Sequence, residues 1–167
     1  SLDYPKDKLE IIIGSDGSDD RTNNIVEEYA IRDKRIKFFP HARRRGKMAV
    51  VNDGVKNAKG EICIFSDVSE LFDNDAIKKL VRNFKNPYIG AVTGNHIYNS
   101  SDNNLGKGTV LYWKYQRMIQ KMESKVSTIL SCDGTIYACR RSLYVPPPAG
   151  TINYDKAVTL AIVNHGY

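Results

Sequence analysis

Two carboxylate-rich stretches hold the residues of this chain best suited to chemistry: Asp16-Gly-Ser18-Asp-Asp20-Arg-Thr22 and Asp67-Val-Ser69-Glu70. Each follows a short apolar, β-branched run, Leu9 to Ser15 in the first case and Glu61 to Phe65 in the second. Between them, Arg32 to Lys47 carries eight Lys or Arg against one Asp, a local +7 in a chain whose net charge is +6. The basicity therefore belongs to one segment and points to one anionic partner site. Carboxylates beside cations suit a metal–diphosphate group. Mg²⁺ or Mn²⁺ takes oxygen ligands and neutralises phosphate charge, while Arg and Lys take the remainder.

The elements that must position these groups alternate along 167 residues, a length that predicts one domain. Strands are expected at Leu9–Ser15, Arg35–Phe39 (ended by Pro40), Glu61–Phe65, Ile89–Thr93 and Thr135–Cys139. Helices are expected at Thr22–Asp33, Met48–Ala58, Val110–Ser124 and Tyr154–His165, the last closed by Gly166. A further helix is expected after Asp73, its predicted N-cap, with Ile77, Leu80, Val81 and Phe84 as the buried stripe. Alternation with strands apolar on both faces predicts an α/β fold, with a mostly parallel sheet flanked by helices. Ligands of such sheets bind beyond the carboxyl ends of the strands, where both acidic stretches fall.

Composition excludes several classes. The chain is 41% hydrophobic and 26% charged, enough apolar material for a core. No apolar run approaches the ~20 residues that cross a bilayer, and the first residues do not read as a signal peptide. Cys63, Cys132 and Cys139 form no C-x-x-C pair, and His41, His96 and His165 share no ligand spacing. Three look-alike motifs also fail. The Asp16 loop mimics a calcium-binding EF-hand loop but has Arg21 where the turn needs glycine. Gly46-Lys47 lacks the first glycine and the Ser/Thr of a P-loop, and Asp16-Gly-Ser18 lacks the second Asp of an aspartyl-phosphate phosphatase.

In order, four segments resemble the family 2 glycosyltransferases, inverting enzymes with the nucleotide-sugar-binding GT-A fold. They are LEIIIGSDGSDDRT, RRRGKMAVVNDGVKNAKGEICIFSDVS, ESKVSTILSCDGTIYACRRSLY and PPPAGTINYDKAVTLAIVNHGY. The resemblance implies that Asp16, with Ser18 beside it, meets the nucleobase. It implies that Arg45, Lys47 and Asn52 belong to the nucleotide site, and that Asp67 holds a Mg²⁺ or Mn²⁺ cation under the diphosphate. Ser69 stands at the second position of the family's Asp-x-Asp pair, Asp155 at that of the general base, and Gly134 where the acceptor approaches. Tyr154 replaces the acid expected beside Asp155.

The resemblance further implies a nucleotide-sugar part over about residues 1–98 and an acceptor part over about 99–167. The family's first strand and its C-terminal Gln-x-x-Arg-Trp segment have no counterpart, so a truncated catalytic domain is expected. The expected reaction moves a sugar from a nucleotide donor, a UDP-hexose or UDP-N-acetylhexosamine, to a glycan or lipid-linked acceptor in polysaccharide or cell-envelope synthesis. A cytoplasmic setting is expected, with membrane attachment only through segments outside these residues and no nucleic-acid partner. Two other readings compete: a nucleic-acid-binding domain using Arg32–Lys47, and a sugar nucleotidyltransferase.

Overall fold

The computed structural model describes residues 2–95, 107–126, 132, 134–148 and 150–167; His96 lies outside them. Strand β1 (Ile11–Asp16) pairs in parallel with β2 (Ile36–His41), in register from Ile11 opposite Ile36 to Asp16 opposite His41. Helix α1 (Thr22–Arg32) connects the two strands. Pro40 lies within β2 and does not end it: β2 is an edge strand, where a missing N–H need break no ladder. Helix α2 (Lys47–Asn57) packs on β1. Gly14 permits that approach, because a Cβ there would stand 2.1 Å from Val50 Cγ1. Gly14→Ala should therefore cost about 1–3 kcal/mol of stability through overpacking, read as a lower urea midpoint at unchanged slope.

A second sheet consists of β3 (Ile62–Ser66), β4 (Ala91–Thr93) and β5 (Ile136–Arg140), with β5 central and antiparallel to both neighbours. The side chains of β5 alternate between two cores. Ala138 joins Leu80 and Phe84, while Tyr137 and Cys139 join Cys132, Val158 and Ile162. Helix α3 (Ala76–Val81) continues as a 3-10 turn to Lys85, and α5 (Tyr154–Asn164) covers the opposite face. Helix α4 (Lys107–Val126) precedes β5. Arg140 braces the α3 side by donating to the carbonyls of Phe84, Asn86 and Ile89.

The α/β architecture is as expected, but strand direction needs correction. Among the described residues β1 and β2 alone pair in parallel, whereas both ladders of β5 are antiparallel. Apolar residues on both faces of a strand report burial beneath two layers, and a central antiparallel strand satisfies that equally well. Among the described residues no ladder joins the two sheets. Glu10 links them, accepting from the N–H groups of Lys59 (2.6 Å) and Gly60 (2.8 Å) while pairing with Lys37. Helix α3 also starts later than expected. Asp75 occupies the N-cap position, and Asp73 contributes its carbonyl to the Ala76 N–H at 3.0 Å.

Candidate active site

The loop after β1 is organised by its own first carboxylate. Asp16 accepts from the backbone N–H groups of Arg45 (2.7 Å, Oδ1) and Gly46 (2.8 Å, Oδ2). It thereby fixes the basic loop that leads into α2. Ser18 accepts from the buried Ser15 hydroxyl at 2.9 Å, and Asp20 accepts from the Thr22 N–H at 2.9 Å where α1 begins. Arg45 donates to Asp53 on α2 at 2.6 Å. Asn52, one residue earlier, accepts from the Tyr144 hydroxyl at 2.7 Å, so in this structure it ties α2 to the segment after β5.

At the end of β3 the site closes on itself. Lys47, the first residue of α2, donates to Asp67 Oδ1 at 2.5 Å. Its ammonium also lies 5.0 Å from the centre of the Tyr154 ring. Burial disfavours that charge, yet the Asp67 carboxylate and the Tyr154 hydroxyl outweigh it and hold the lysine pKa above its ordinary value. The Asp67 N–H donates to the Thr135 carbonyl at 3.3 Å, which binds this strand end to the start of β5. Ser69 is exposed in the following turn.

Gly134, immediately before Thr135, faces the first turn of α5. A Cβ on Gly134 would come within 3.0 Å of Asp155 Oδ2. Thr159 holds this juxtaposition from beneath. Its buried hydroxyl donates to the Asp155 carbonyl at 2.8 Å and accepts from the Cys132 N–H at 3.4 Å. The structure thus groups the candidates as Asp16 with Arg45, Lys47 with Asp67, and Gly134 with Asp155. Thr159, Asp53 and Tyr144 were not singled out from the sequence. Only Thr159 carries a local signal, a hydroxyl four residues after Asp155 on one helix face.

A divalent cation fits this donor set only with help. Among the described residues no group of three His, Cys, Asp or Glu side chains could hold a metal alone. Asp67 and Ser69 offer hard oxygen donors, and diphosphate oxygens and water would complete the shell, as is usual for Mg²⁺.

A GT-A-type domain is the class that this fold defines. The chain matches the mannosyltransferase PcManGT from Pyrobaculum calidifontis, solved in complex with GDP-Man and Mn²⁺, with a TM-score of 0.83 at 24% identity, over 99% of this chain and 46% of that one. It matches residues 1–349 of TarS from Staphylococcus aureus in complex with UDP-GlcNAc with a TM-score of 0.59 at 21% identity, over 96% and 46%. The chain belongs to glycosyl transferase family 2, whose pattern it matches over residues 1–144. Asp155 falls just beyond that match.

Among curated relatives, a poly-beta-1,6-N-acetyl-D-glucosamine synthase of Staphylococcus epidermidis is 34% identical over 144 residues, covering 85% of this chain and 34% of the relative. The synthase of the same name from Staphylococcus aureus strain COL is 30% identical over 167 residues, covering 96% and 40%. The chain therefore spans roughly a third to two fifths of the length of these relatives.

Proposed function

We propose that this protein transfers a sugar from a UDP-sugar, with UDP-N-acetylhexosamine as the first choice, to a hydroxyl of a glycan or lipid-linked acceptor, inverting the anomeric centre. The observation that carries this reading is the joining of Lys47–Asp67 to Gly134–Asp155 through the Asp67–Thr135 backbone bond. A diphosphate-binding cation and a free carboxylate are thereby attached to one end of the β3–β5 ladder. The choice of N-acetylhexosamine is supported by relatives named as poly-N-acetylglucosamine synthases.

In the proposed reaction Asp155 takes the proton of the acceptor hydroxyl as its oxygen bonds to the anomeric carbon. The bond from that carbon to the diphosphate oxygen breaks on the opposite face, and its electron pair leaves with UDP. One displacement therefore inverts the centre. Lys47 stabilises the negative charge that develops on the leaving diphosphate. A divalent cation held at Asp67, with Ser69 alongside, would add charge neutralisation at the same oxygens.

The nucleic-acid reading loses its main support. Within the basic segment Arg32 pairs with Glu28, Arg35 with Asp33, Lys37 with Glu10, Arg45 with Asp53 and Lys47 with Asp67, so five of its eight cations already face a carboxylate of this chain. Three free cysteines support a reducing, cytoplasmic setting for the reaction. No helix among the described residues is long and apolar enough to cross a membrane.

The test is a thermal-shift titration with UDP, GDP, CMP and ADP, each with and without Mn²⁺. A ligand at about 100 times its Kd adds roughly 2.7 kcal/mol to the folded state. A UDP-selective, Mn²⁺-enhanced shift is expected, and Asp67→Asn should weaken UDP binding about tenfold or more when the metal is present. No shift with any nucleotide, in either this chain or the full-length protein, would reject the reading.

A further inference from the structure

Position 154 departs from the family's pattern, which would place an acid beside Asp155. The structure shows what the tyrosine there does. Its ring packs against the buried cluster of Tyr137, Cys139, Val158 and Ile162. Tyr137 in turn stacks on Phe65 with ring centres 4.6 Å apart, and Phe65 stacks on Tyr144 at 5.6 Å. The Tyr154 ring therefore lies against a cluster that these stacked rings extend, and the Lys47 ammonium stands 5.0 Å from its centre. Asp67 Oδ1 contacts the same ammonium at 2.5 Å.

A carboxylate at 154 would offer Lys47 a second full negative charge and would compete with any phosphate for it. An aromatic face attracts a cation through its quadrupole without neutralising it. We propose that Tyr154 is a positioning residue that holds the Lys47 ammonium at the end of β3 with its charge available to the donor diphosphate. Because Tyr154 and Asp155 are consecutive in the first turn of α5, the same contact seats the helix that carries the base. The donor cation and the acceptor-side carboxylate are thus set by one element. This inference rests on the reading of Lys47 as a diphosphate ligand.

The test compares Tyr154→Phe and Tyr154→Leu in the full-length protein. Two measurements are made: the Kd for UDP by calorimetry without acceptor, and the ligand-free proton and carbon shifts of the Lys47 side chain. Tyr154→Leu should weaken UDP binding about 3- to 10-fold, while Tyr154→Phe, which keeps the ring and loses only the hydroxyl that also faces Lys47, should lose less, about two- to threefold. The ring should displace the Lys47 protons upfield in wild type and in Tyr154→Phe, and the displacement should vanish in Tyr154→Leu. Unchanged UDP affinity in Tyr154→Leu, or equal losses in both variants, overturns the proposal. So does a Lys47 shift that is the same in all three proteins. A wild-type protein that binds no nucleotide overturns the functional reading instead, and the Lys47 shifts then still decide whether Tyr154 holds the lysine.

Discussion

Asp155→Asn should lower kcat about a thousandfold while leaving UDP affinity within about twofold. The asparagine matches the carboxylate in size, so the helix start and the Thr159 bond to the residue 155 carbonyl persist. What disappears is the capacity to accept a proton at the moment the acceptor hydroxyl attacks. A sugar hydroxyl is a poor nucleophile at neutral pH, and general-base assistance typically contributes 10²–10⁴ in rate. Transfer to acceptor and UDP binding by calorimetry, measured on the same preparation of the full-length protein, separate the two effects. A variant that retains more than about a tenth of the wild-type rate would place the base elsewhere.

Gly134→Val should reduce kcat about a hundredfold, again with UDP binding nearly unchanged. Even the first added carbon would stand 3.0 Å from Asp155 Oδ2 and 3.3 Å from its carboxyl carbon. Valine adds two methyl groups beyond that carbon, so the carboxylate must swing away or the chain before β5 must retreat. A displacement of about 1 Å in a reacting group is enough for a loss of this size. Gly134→Ala should fall between the two, because a few tenths of an ångström relieve its contact. Graded rates across Gly, Ala and Val at constant UDP affinity are the expected pattern. A parallel fall in UDP affinity would instead show that the substitution distorts the Asp67 end through Thr135.

Much of this protein is legible from residue order. The isoleucine run of β1, the Asp-Gly-Ser loop after it and the apolar run of β3 ending at Asp67 each carry a local signal that neighbouring residues satisfy. Strand and helix positions follow from such signals because periodicity and turn residues act over a few residues. The acidic strand ends and the basic segment were identifiable for the same reason, and so was the family resemblance that the comparisons bear out. Strand direction was not legible, since the apolar pattern of β5 is the same whichever way its neighbours run.

Pairing of charges likewise required the fold. The resemblance implies a nucleobase contact for Asp16, and the fold adds that its two oxygens meet the N–H groups of residues 29 and 30 positions away. Asn52 read as a nucleotide ligand and meets Tyr144, 92 positions on. Tyr154 stood out only as a missing acid until α2 brought Lys47 over its ring. Which chemical groups lie at which strand and helix ends follows from residue order, because propensity and hydrophobic spacing are local. Which of those groups meet follows from packing. Hydrogen bonds and ion pairs act over a few ångströms, and distance along the chain says nothing of that separation until the sheets and helices have packed.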